Sequence, residues 1–234
     1  MDLTFTLADL TATSACELGL YTVLRERMRR QATRPTPEES ERAREAYREC
    51  LRVLTEGGAV GGEQTDGTAR PVPLVATSAA GLTYTVELDR LEYVPENSTA
   101  RIVCTPHLGE AAHRALLRGA LAAHLLSAGV TKSAKNTARL DLYLGHGVEE
   151  SNPEPAEHHS PVPQPHRVDS ARILPLIRLQ EQRLLSLTQA LNEGVEPAEL
   201  AERIPYFLTC DECPACLNTY LNTAASLALA TDTP

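Results

Sequence analysis

Tryptophan is absent from this chain of 234 residues, and phenylalanine occurs only twice. A core without large aromatics must be aliphatic, so Leu, Val, Ile and Ala have to fill it. Lysine is also missing before Lys132, which leaves arginine as the only strong cation over that stretch. No apolar run reaches about 18 residues, so no membrane-spanning helix is expected. The opening MDLTFTLADL lacks a basic segment and does not read as a signal peptide. The expected location is therefore cytoplasmic.

The net charge is −9, which excludes a binder that meets polyanions on every side, because phosphate contacts need clustered Lys and Arg. The basic residues are uneven, however. Arg25, Arg27, Arg29 and Arg30 fall within six residues, and Lys132 and Lys135 precede Arg139. Both clusters are candidate nucleic-acid contacts, and both equally suit a solvated helix end or turn.

Hydrophobic residues make up 42% of the chain, enough for a folded domain. The spacing of Leu18, Leu20, Val23, Leu24 and Met28 predicts a helix over 13–31, capped by Thr13 or Ser14. Thr36-Pro37-Glu38-Glu39 reads as a capping box opening a second helix to Glu56, stopped by Gly57-Gly58. Residues 57–69 read as a loop. PVPLVATS at 71–78, LTYTVELDRLEY at 82–93 and ARIVC at 100–104 read as strands. Residues 109–129 form the clearest amphipathic helix, and 138–145 returns to strand. Residues 147–167, rich in Pro, Glu and His, read as a linker, with helices following at 168–193 and 196–203. Strands flanking a central helix imply an α/β sandwich around a small mixed sheet. The expected organisation is an N-terminal helical segment (1–56), an α/β core (57–146), a linker (147–167) and a C-terminal helical segment (168–234).

In FLTCDECPACLN, Cys210, Cys213 and Cys216 are separated by two residues each. In a reducing compartment such density points to metal rather than disulfides. Three thiolates on one tight loop match three corners of a 4Fe–4S cluster, with zinc as the alternative. The fourth ligand must come from Cys16, Cys50 or Cys104. Cys50 lies mid-helix and Cys104 ends a buried strand, where small hydrophobic roles are expected. Cys16 is the choice, because a helix start favours a thiolate.

TLADLTATSACELGLYTVLRERM at one end and IPYFLTCDECPACL at the other resemble the iron–sulfur branch of the RecB-type nucleases, which includes AddB and the CRISPR-associated RecB-like exonucleases. The resemblance implies a restriction-endonuclease-like core and a cluster held by Cys16, Cys210, Cys213 and Cys216. It also implies phosphodiester hydrolysis from a strand carboxylate followed by an acidic-x-Lys triplet on the next strand. Asp89 matches the first carboxylate. The triplet falls on Val103-Cys104-Thr105, where valine cannot bind Mg²⁺ and threonine supplies no amine. A working nuclease would need Glu87, Asp89, His107 or Glu110 to rebuild the site; otherwise Asp89 is an exposed residue on a polar strand face. The spacing of Cys213 and Cys216 is also tighter than the family's.

The expectation is a catalytically inactive, nuclease-like iron–sulfur protein. It would serve as a structural or nucleic-acid-binding subunit of a larger complex in DNA repair or CRISPR defence. A divergent iron–sulfur DNA nuclease and a zinc-stabilised protein-interaction module are the alternatives.

Overall fold

The computed structural model describes residues 3–29, 37–61, 71–107, 110–130, 139–145 and 165–203. They fall into two units. The larger takes in residues 4–7 and the described part of 35–178; the smaller takes in residue 3, 8–29 and 179–203.

The larger unit contains eight strands: β1 (Thr4–Phe5), β2 (Ala59–Gly61), β3 (Val72–Thr77), β4 (Thr83–Leu88), β5 (Arg90–Val94), β6 (Thr99–Cys104), β7 (Arg139–Leu144) and β8 (His166–Val168). They make a three-stranded sheet, β1-β4-β3, and a five-stranded one, β2-β5-β6-β7-β8. Both sheets are mixed: β1–β4 and β6–β7 are parallel, and the other pairs are antiparallel. The mixed α/β class expected from the sequence is present.

The helices of this unit are α3 (Pro37–Glu56) and α4 (Ala112–Val130). They are numbered in chain order after α1 (Leu7–Ala15) and α2 (Glu17–Arg29), and before α5 (Leu174–Glu193) and α6 (Pro197–Arg203). The helix α3 ends where expected, with Gly57 at φ +92° in the left-handed region that a side chain disfavours. It packs against β3 and α4, and the Tyr47 hydroxyl donates to the Leu125 carbonyl oxygen at 3.0 Å. The helix α4 packs on β4, β6 and β7. Its approach to β6 requires glycine, since a Cβ on Gly119 would lie 1.9 Å from Cys104 Sγ.

The segment read as one strand over 82–93 is two strands in different sheets, joined only by Asp89. Alternation holds from Leu82 to Leu88, then slips, because Leu88, Asp89 and Leu91 are all buried. A strand that leaves one sheet for another turns at such a break. The strands β1, β2 and β8 lie where no strand was expected, β2 inside the loop read at 57–69 and β8 overlapping the end of the linker read at 147–167. Most of that linker lies outside the described residues.

In the smaller unit, the helix read over 13–31 is two helices meeting at Cys16. The helices α1 and α2 pack with the later part of α5 and with α6. The Thr13 hydroxyl donates to Gln180 Oε1, the Tyr21 hydroxyl donates to the Val195 carbonyl oxygen, and Arg25 pairs with Glu196. Burial pushes the Tyr21 hydroxyl above the ordinary tyrosine range. Among the described residues no helix is long and apolar enough to cross a membrane.

Candidate functional site

Asp89 stands at the corner between the two sheets. A buried carboxylate must be satisfied by donors or by a cation. Here Oδ2 accepts the Thr105 backbone N–H and an N–H from Arg118 Nη2, both at 2.8 Å. His107 Nε2 lies 3.1 Å from Oδ1. Asp89 is therefore not an exposed residue on a polar strand face, as one sequence reading held. Its side chain is 5% exposed and that of Arg118 8%.

Further contacts close the cluster. Arg118 Nη2 donates to the Thr105 carbonyl oxygen at 2.9 Å. Nη1 donates to Glu110 Oε2 at 3.2 Å and lies 3.1 Å from both ring nitrogens of His107. The His107 backbone N–H donates to the same Glu110 oxygen at 3.0 Å. One guanidinium thus gathers two carboxylates and an imidazole from the sheet corner, the end of β6 and the approach to α4.

Three of the four residues proposed to rebuild a metal site, Asp89, His107 and Glu110, do come together. The fourth, Glu87, is exposed on β4. What they surround is Arg118, which sequence reasoning missed. Its signal was available: Arg118 stands three residues after Ala115 and three before Leu121, on the buried stripe of α4. An arginine there has to find an acid. A divalent ion needs carboxylate oxygens with free coordination sites in near-octahedral geometry. The Asp89 oxygens are already held by the guanidinium, the Thr105 amide and the His107 ring, so the residues present do not fit Mg²⁺. Among the described residues no group of three or more His, Cys, Asp or Glu is placed to hold a metal ion.

Cys50 and Cys104 are buried thiols, and burial pushes each up to about 12. Both are enclosed in the core of the larger unit, Cys104 against Gly119 of α4, where a thiol packs as a small hydrophobe. Cys16 is only partly buried and precedes α2. Its Sγ accepts the Gly19 backbone N–H at 3.2 Å, and its carbonyl oxygen accepts the first helical bond, from Leu20 at 3.0 Å. It is the residue that caps α2, with its sulfur among helix-terminal donors, and its donor chemistry fits a cluster ligand. Cys210, Cys213 and Cys216 lie outside the described residues.

Of the arginines proposed to contact nucleic acid, two have structural partners. Arg25 forms a two-pronged pair with Glu196. Arg27 does the same with the buried Asp9, at 3.0 Å for both bonds. Arg29 ends α2. Arg30, Lys132 and Lys135 lie outside the described residues.

No family model matches this chain, and no curated protein matches it significantly.

Proposed function

We propose that this protein is a nuclease-like subunit with a silenced acid site. In this reading it acts as a structural or nucleic-acid-binding component of a larger cytoplasmic complex in DNA repair or antiviral defence. The observation that carries the reading is the pairing of Asp89 with Arg118. The carboxylate best placed to bind a catalytic cation is held by an internal cation instead, and the next strand offers Val103 and Thr105 where an acid and a lysine are needed. The mixed α/β class and the parallel pair β6–β7, connected through α4, suit a restriction-endonuclease-like core. The deciding assay incubates the purified chain with single- and double-stranded DNA in Mg²⁺ or Mn²⁺. No cleavage is expected. Cleavage that disappears in Asp89→Ala would establish the divergent nuclease in its place.

The second part of the proposal is a 4Fe–4S cluster on Cys16, Cys210, Cys213 and Cys216. Its support is the capping position of Cys16 and its place in the same unit as the C-terminal helices. When bound, the cluster would supply a tie between distant parts of the chain, closing a very long loop. The tight Cys213–Cys216 spacing favours zinc as the alternative, in a protein-interaction module. Iron and acid-labile sulfide in anaerobically purified protein distinguish the two.

A further inference from the structure

Pairing register decides which side chains share a face of a sheet. Residues directly opposite project to the same side, and residues two apart repeat it. In the five-stranded sheet this aligns Arg90, Val103, Tyr143 and Arg167 in one row. Glu92, Arg101 and Asp141 make the next row, and Val94, Thr99 and Arg139 the third. The other face carries Leu91, Ile102 and Leu142, all buried, and there Gly119 of α4 lies against Ile102 and Cys104. The arginines therefore stand on the face away from α4.

Four arginines on this face share two carboxylates. Glu92 lies 2.6 Å from Arg90 and 3.7 Å from Arg101. Asp141 lies 2.8 Å from Arg167 and 3.4 Å from Arg139. Asp169, which also acts on Arg167, is itself paired with Arg172 at 3.5 Å, so the four arginines against Glu92 and Asp141 leave +2, in a chain whose net charge is −9. The side chains of Arg90, Arg101, Arg139 and Arg167 are 49%, 39%, 73% and 53% exposed. By contrast, Arg25 and Arg27 are each bonded through two nitrogens to one carboxylate. The excess positive charge lies across four neighbouring strands, a span of roughly 15 Å at strand spacing. Among these cations sits an aromatic, with the Arg101 guanidinium 5.2 Å from the centre of the Tyr143 ring.

A sheet face with excess arginine and a tyrosine matches a partner that has both regular negative charge and stackable rings. The geometry points to this face as a binding surface for single-stranded nucleic acid, with the arginines on phosphates and the Arg101–Tyr143 pair beside a base. The inference rests on the nucleic-acid-binding reading above and assigns its location.

The test uses the full chain, a fluorescent oligothymidylate and anisotropy over a salt series. The variant is Arg90→Gln with Arg139→Gln. It removes the excess charge yet leaves Glu92 with Arg101 and Asp141 with Arg167, so neither carboxylate is stranded. Arg44→Gln with Arg48→Gln on α3 is the control, with the same charge change at two exposed sites. Expected is a several-fold loss of affinity in the sheet variant only. The slope of log K against log salt should flatten by about 1.4, two phosphate contacts' worth for a single strand. Tyr143→Leu should weaken binding without changing the slope. Equal loss in both arginine pairs, or none in the sheet variant, overturns the assignment to this face while nucleic-acid binding stands. Tighter binding to duplex than to single strand overturns the single-strand assignment. No binding by the parent chain at any salt overturns the nucleic-acid reading and this surface together.

Discussion

Arg118 Nη2 lies 2.8 Å from Asp89 Oδ2, and both side chains are almost wholly buried. Breaking a buried pair by removing one partner strands the other charge, which costs about 3–5 kcal/mol. Arg118→Met should therefore lower the melting temperature by roughly 6–20 °C. Adding Asp89→Asn to that variant should recover part of the loss, because no buried carboxylate then remains unpaired. A double variant as unstable as the sum of the singles would show that the two side chains do not act as a pair.

The same geometry predicts what Arg118 keeps out. Replacing it by Ala vacates the space between Asp89, Glu110 and His107, a set of ligands suited to Mn²⁺. Mn²⁺ should raise the melting temperature of Arg118→Ala and leave the parent unchanged, since a ligand bound only by the folded state stabilises it. A parent protein stabilised by Mn²⁺ in a way that Asp89→Asn abolishes would mean that Arg118 does not exclude the ion.

How far the fold was legible depended on period and length. The helices α3 and α4 and the strands β3, β6 and β7 carry long, regular patterns, and they lie within a few residues of their expected places. The strands β1, β2 and β8 have two or three residues each. They exist because a neighbouring strand pairs with them, and no local pattern announces that. The corner at Asp89 was hidden because the residue types on either side suit a strand equally well. Only the three-residue step from Leu88 to Leu91 betrays the slip. The site was half legible. Asp89, His107 and Glu110 stood out as acids and a histidine, and Cys50 and Cys104 as buried thiols, but the cation that organises the cluster looked like one more polar residue on a helix.

The arginines of α2 show the same limit from the other side. Density in sequence suggested a binding face, yet Arg27 is bonded through both terminal nitrogens to Asp9, which is 7% exposed. Arg27→Gln should cost about 1–3 kcal/mol, the scale for leaving a buried charged acceptor short of its donor. Oligonucleotide affinity per folded molecule should stay unchanged. A binding defect with no loss of stability would return Arg27 to the nucleic-acid interface.

Cys50 and Cys104 make stability depend on alkaline pH. Burial raises each thiol from the ordinary 9.0 to about 12 in the folded protein. Above pH 9 the unfolded chain releases these protons and the folded one keeps them. Stability is therefore lost as pH rises, by about 1.4 kcal/mol per pH unit for each thiol until about 12. The urea midpoint of the parent should fall more steeply from pH 9 to about 11 than that of a Cys50→Ala, Cys104→Ala variant. Parallel slopes would mean that the two thiols ionise as readily in the folded protein as in the unfolded one.

Cys16 gives the cleanest separation of ligation from folding. Its sulfur accepts the Gly19 amide at the start of α2, a task that serine performs at least as well, being among the favoured capping residues. Cys16→Ser therefore keeps the helix capped and removes only the sulfur. If Cys16 is the fourth ligand, this variant should lose colour, iron and sulfide nearly as fully as Cys213→Ser, and should lose thermal stability with them, because cluster binding and folding are linked. Cys50→Ala and Cys104→Ala should cost packing energy and keep their iron, since both thiols are buried in the core of the larger unit. Full iron in Cys16→Ser together with loss in either alanine variant would move the fourth ligand into the larger unit. Zinc without iron in the parent and in every variant would replace the cluster with a zinc centre, and Cys16→Ser would then report on that metal by the same comparison.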